Sequence, residues 1–148
     1  AETNPLDSGK VTTYGGSGTG GIEGKGGAGT VLVRQGIAAP GTEVLHVINN
    51  ATASHAYTTL PAQNTPNTNE LRRTVLQLGD YGRVRLMDNQ RIADLFLTGT
   101  VGKRAGLALA GHTLRVGHYY HADWGDKEWV IYDNGKIVWQ TGTLLILQ

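Results

Sequence analysis

The sequence predicts an all-β fold, a short parallel β-solenoid of the β-helix-like kind with a C-terminal hairpin; a β-sandwich is the alternative. Three observations predict it. Strand-like runs recur about every 8 to 12 residues with Gly, Asn or Asp between them. The composition is poor in helix formers: 22 of 148 residues are glycine and only 17% are charged, which suits strands and turns better than helices. No stretch carries a convincing helical period, and the best segment, 68–77, supports one short turn at most.

The elements follow in order. Val11 to Tyr14 reads as a first strand after a polar start. Residues 15–29 are a glycine-rich loop, GGSGTGGIEGKGGAG, in which nine of fifteen residues are glycine. It is a flexible linker or a loop packed where side chains do not fit. Thr30 to Gln35 and Glu43 to Ile48 are strands separated by a turn at Ala39-Pro40-Gly41. In the second, Val44, His46 and Ile48 share one face, with Leu45 and Val47 on the other. Residues 51–70 form a long polar loop containing Pro61 and Pro66. Loops of that length are uncommon and are often functional or mobile.

Arg73 to Leu78 is the next strand, closed by a turn at Gly79-Asp80. Arg83-Val84-Arg85-Leu86-Met87 alternates charged and apolar residues, as a half-exposed strand does. After a turn at Asp88-Asn89 come strands at Ile92 to Leu97, Gly106 to Gly111 and His112 to Gly117. Trp129 to Asp133 and Lys136 to Trp139 flank Asn134-Gly135, the strongest short-range hairpin signal. Thr143 to Leu147 is the last strand. The whole, residues 1–148, makes one domain long enough to bury a core.

The formal net charge is +1, so no global field draws in nucleic acid or an anionic membrane. Cysteine is absent, which excludes disulfides and thiolate chemistry. The longest apolar runs are a few residues, against roughly 20 for a spanning helix, so no membrane span is expected. The glycine tract lacks the Gly-Lys-Ser/Thr ending and following helix that a phosphate loop needs. Ser8, Ser17 and Ser54 are the only serines, and none lies in a Gly-x-Ser-x-Gly elbow.

Three phrases carry a resemblance: Gly9 to Gly16, Gly26 to Val33 and Leu109 to Val116. They are similar to the glycine-rich, β-helix-like regions of large bacterial cell-surface proteins frequent in Planctomycetes and Verrucomicrobia. Those regions carry phrases of the pattern G-K-I-x-A-Y-G-G, G-G-A-G-T-V-Y-L and L-x-G-x-T-L-x-V. The resemblance covers about half of the chain. It implies a parallel β-helix-like fold, an extracellular or cell-surface setting and no catalytic residues.

Two constellations suggest chemistry. The stretch His118 to Trp129 gathers two His, two Tyr, two Trp, two Asp and a Glu. As a carbohydrate site, Tyr119, Trp124 and Trp129 would stack on sugar rings while His121 and Asp123 bond hydroxyls. As a metal site, His121 and Asp123 would share one strand face, with His118 and Asp126 from the bends, and the acidic loop would take calcium through Asp123, Asp126 and Glu128. The plainer reading is a strand edge with half-buried aromatics and a polar turn.

The second constellation is basic. Arg83 and Arg85 project from one strand face within a section that also holds Arg72, Arg73 and Arg91. This is a solvated face or a contact for an acidic polysaccharide or partner.

The function expected is non-catalytic: a structural or adhesion module that self-associates or stacks on neighbouring modules of a surface assembly, with no cofactor. A carbohydrate-binding module built on 118–129 is the first alternative. A polysaccharide lyase-like β-helix, with Arg83 and Arg85 near the substrate, is the second.

Overall fold

The computed structural model describes residues 26–34, 43–49, 55–60, 70–98, 102–118 and 130–140. The strands expected at 11–14 and 143–147, most of the glycine tract and most of the 51–70 loop lie outside these residues.

The described residues are all-β. Eleven strands, β1 (Thr30–Arg34), β2 (Glu43–Val47), β3 (Thr58–Leu60), β4 (Thr74–Leu78), β5 (Arg83–Leu86), β6 (Gln90–Ile92), β7 (Asp94–Leu97), β8 (Gly106–Ala108), β9 (Thr113–Val116), β10 (Val130–Ile131) and β11 (Lys136–Trp139), are joined by turns and a single 3₁₀ turn, Glu70–Arg73. They form three sheets: a first of order β1-β2-β4-β7, a second of order β10-β8-β5-β3 and a third of order β11-β9-β6. Every pairing is parallel except β1 with β2.

The chain visits the sheets in a repeating sequence. From β4 it passes through β5 and β6, one strand in each sheet, and from β7 through β8 and β9. Later strands then lie beside earlier ones in parallel register. Leu95 lies beside Leu76, 19 positions earlier. Leu107 lies beside Val84 at 23 positions, and Arg115 beside Arg91 at 24. The step from Leu45 to Leu76 is 31 positions, because the polar 61–69 segment falls inside it.

Alternation along each strand decides what the core receives. On the inner side Leu45, Leu76 and Leu95 form one column of the first sheet, and all three are buried. Val84, Leu107 and Val130 form a second column, in the second sheet. Ile92 and Val116 continue into the half-buried Trp139 in the third. Each buried side chain of this size contributes roughly 1.5–3 kcal/mol relative to exposure. The stacked columns therefore hold the strands without α-helix among the described residues.

The corners are tight, and glycine makes one of them possible. Gly79 accepts the Gly82 backbone N–H at 2.7 Å, and Tyr81 between them has φ 54°. A Cβ on Gly82 would stand 2.0 Å from the Val47 carbonyl oxygen. The end of β2 thus leaves no room for a side chain there.

Three expectations need correction. Ile92 to Leu97 is two strands in different sheets, bent at Ala93, whose N–H donates to the Thr74 carbonyl at 2.9 Å. Thr58–Leu60, inside the expected polar loop, is a strand paired with β5. The C-terminal hairpin is absent: β10 pairs with β8 and β11 with β9, both parallel and in separate sheets. Asn134-Gly135 turns the chain from one sheet into the next and does not fold it back on itself.

Candidate functional site: the outer faces of the three sheets

The residues not used by the core define three outer faces. On the first sheet the alternation places Val31, His46, Gln77 and Phe96 in one register column, and Val44, Val75 and Asp94 in another. This face is mostly apolar and half-buried, with Phe96 exposed. Burial pushes the His46 imidazole below its usual range by disfavouring the charged form.

On the second sheet Val84 and Leu86 point inward, so Arg83 and Arg85 share the outer face, as the alternation requires. Their surroundings differ. The Arg83 guanidinium lies over the Tyr57 ring, 5.9 Å from its centroid, a cation–π contact. Its aliphatic stem covers Gly106, where a Cβ would come 3.3 Å from Arg83 Cγ. Arg83 is thus partly engaged in packing. Arg85 is exposed, with Thr59 and Ala108 as register partners.

The third sheet carries the feature that reading the sequence missed. Gln90, Ile92, Leu114 and Val116 are buried, which leaves Arg91 and Arg115 exposed on the outer side. The two arginines are direct register partners in adjacent parallel strands. The 3₁₀ turn bearing the exposed Arg72 and Arg73 packs against β6. Four arginines therefore gather on and beside one sheet face. A neighbouring column holds Asn89, Thr113 and Lys136. Asn89 Oδ1 accepts the Thr113 backbone N–H at 2.7 Å across the two strands. The available signal was the triplet pattern apolar or amide–Arg–apolar, in Gln90-Arg91-Ile92 and again in Leu114-Arg115-Val116.

Carboxylates bracket this face at its corners. Asp88 Oδ1 accepts the Asn89 N–H at 2.7 Å. Asp94 Oδ1 accepts the Leu95 N–H at 2.8 Å, and its Oδ2 lies 3.7 Å from His118 Nδ1.

Of the residues expected in the aromatic constellation, Tyr119, His121, Asp123, Trp124, Asp126, Glu128 and Trp129 lie outside the described residues. Among the described residues no three His, Asp or Glu side chains come together as a metal site, and no helix is long and apolar enough to cross a membrane. Comparison of the chain with family models, curated proteins and solved structures gives no match.

Proposed function

We propose that the chain is a parallel β-solenoid module of an extracellular or cell-surface assembly, non-catalytic, which works by stacking on copies of itself or on neighbouring modules. The reading rests above all on the repeated visit to three sheets in parallel register. A body made that way is extended by adding coils, because each coil contacts chiefly the ones beside it.

The two ends differ, which supports the same reading. At one end β1 lies antiparallel on β2 and interrupts the coil pattern on the first sheet. At the other, β10 and β11 are the last strands of their sheets among the described residues. There Ile131 and Tyr132 are exposed, and Ile137 is only half-buried, while Leu114, beside it one coil earlier, is fully buried. Backbone groups on such an edge template pairing with another chain.

Two experiments test it. The absence of native cysteine makes Thr113→Cys/Lys136→Cys a clean reporter. Parallel neighbours about 4.8 Å apart lie within reach of a disulfide, so oxidation should link them within one chain. A sandwich with a C-terminal hairpin gives no such link. Light scattering after size-exclusion chromatography, over a concentration series with and without calcium, reads assembly. Open-ended growth that Ile137→Lys abolishes is expected, and a monomer at all concentrations overturns the stacking role.

A further inference from the structure

We infer that the outer face of the third sheet binds a linear acidic polysaccharide, through carboxylate or sulfate groups carried on its sugars. The inference rests on the solenoid reading, since that is what aligns the arginines along the body.

The geometry is the first argument. Arg91 and Arg115 are exposed register partners, so their Cα atoms are separated by about one strand spacing, ~4.8 Å. Arg72 and Arg73 add two further cations beside β6. The resulting row crosses the strands and runs along the direction in which they stack. A stretched polymer lying across the strands meets one cation after another. Half of the chain's eight arginines are in this group, although the net charge is only +1.

Electrostatics is the second. Like charges placed directly opposite on a sheet oppose its formation. No carboxylate occupies a strand position on this outer face among the described residues, where Asn89, Arg91, Thr113, Arg115, Lys136 and Val138 stand. Asp88 and Asp94 sit at the corners and already accept backbone N–H groups. A bound polyanion adds countercharge beside Arg91 and Arg115. A guanidinium matches carboxylate or sulfate oxygens in a two-pronged geometry that an ammonium lacks.

The outer face also favours one class of polymer. Single-stranded nucleic acid is held by aromatic stacking as well as charge, and the outer positions just named include no aromatic ring. The adjacent column of Asn89, Thr113 and Lys136 instead offers amide, hydroxyl and ammonium groups, which suit a hydroxyl-rich chain.

The test is calorimetric titration of the purified chain, at concentrations where it is monomeric, with polygalacturonate, dextran sulfate, neutral dextran and oligodeoxythymidylate. Binding to at least one acidic polysaccharide and none to dextran is expected. Arg91→Thr/Arg115→Thr should weaken it at least tenfold and lower the slope of log affinity against log salt by about one to two. Threonine suits an exposed strand position, and circular dichroism checks that the variant folds. The charge-matched control Arg85→Thr/Lys103→Thr should bind within about threefold of the parent chain. Equal losses in both variants, preference for the oligonucleotide, or no binding to either acidic polymer overturns the inference. Failure of the Thr113/Lys136 link would instead strike the solenoid reading, and failure of assembly the stacking role.

Discussion

Asp133 and Ala110 occupy matching corners, 23 positions apart, between the paired strands β10–β8 and β11–β9, and both backbones are left-handed, with φ of 40° and 49°. The offset of 23 positions holds on both sides of the corner, from Val130 over Leu107 to Lys136 over Thr113. Asn134 and Gly111 follow with φ of 64° and 83°. The Leu109 carbonyl accepts the His112 N–H, and the Tyr132 carbonyl accepts the Gly135 N–H. Two successive left-handed residues closed by such a bond are the marks of a type I′ turn, the usual hairpin turn. Here the same local turn is stacked twice and delivers the chain into another sheet.

Ala110→Gly should therefore stabilise the protein. A left-handed non-glycine residue costs roughly 1–2 kcal/mol, partly offset by the entropy of glycine in the unfolded chain. A net gain of about 0.5–1 kcal/mol is expected, read as a higher urea midpoint at unchanged slope.

Gly82→Ala and Gly102→Ala make a contrasting pair. At Gly82 the added carbon meets backbone, the Val47 carbonyl, and a loss of about 3 kcal/mol or more is expected. At Gly102, φ is 81° and nothing lies within 4 Å, so only the backbone preference is lost, about 1–2 kcal/mol. Comparable losses in thermal or urea unfolding would contradict the close packing at the first corner.

Stability should fall on acidification through the imidazole range. Burial lowers the pKa of His46 below 6.5 in the folded chain, so the unfolded chain binds more protons as the pH drops below that value. By linkage, stability is full above about pH 6.5 and is lost as the pH falls toward the lowered folded value. His46→Gln should flatten this part of the pH profile, measured by urea unfolding between pH 7.5 and 5 and distinguished from the carboxylate loss at lower pH.

Added salt should stabilise the chain if the repulsion between Arg91 and Arg115 is felt in the folded state, since exposed charges are screened. Arg115→Thr should raise stability at low ionic strength by about 0.5 kcal/mol. The same variant should respond less to sodium chloride, as seen in parallel thermal melts.

Local patterns were legible where alternation and turn residues spoke together. Arg83 to Met87 read as a half-exposed strand, and Leu45 and Val47 as sharing one face of theirs, because period two shows within a few residues. The break at Ala93 did not, since no Gly, Pro or Asn marks it. That bend is held by neighbours, Ala93 to Thr74 and Gly117 to Ile92. β3 is three residues long and sits in a polar stretch. Arg83 and Arg85 could be assigned to one face from their spacing of two. The partnership of Arg91 with Arg115 could not, because the offset between parallel paired strands varies from 19 to 31 positions and offers no fixed period to search for. Asn134-Gly135 announced a turn of the right kind, but which strand comes next to which is decided by long-range pairing.

The 23-position offset of β10 and β11 also sets how the chain would yield to tension. Peeling one such turn away frees 23 residues, roughly 80 Å of extended backbone at ~3.5 Å each. The folded body meanwhile shortens by only about 4.8 Å, one strand spacing. On the proposed solenoid reading, a pull applied at β11 is therefore met by slack paid out turn by turn, a spool that absorbs displacement many times its own height while the strands beneath keep their pairing.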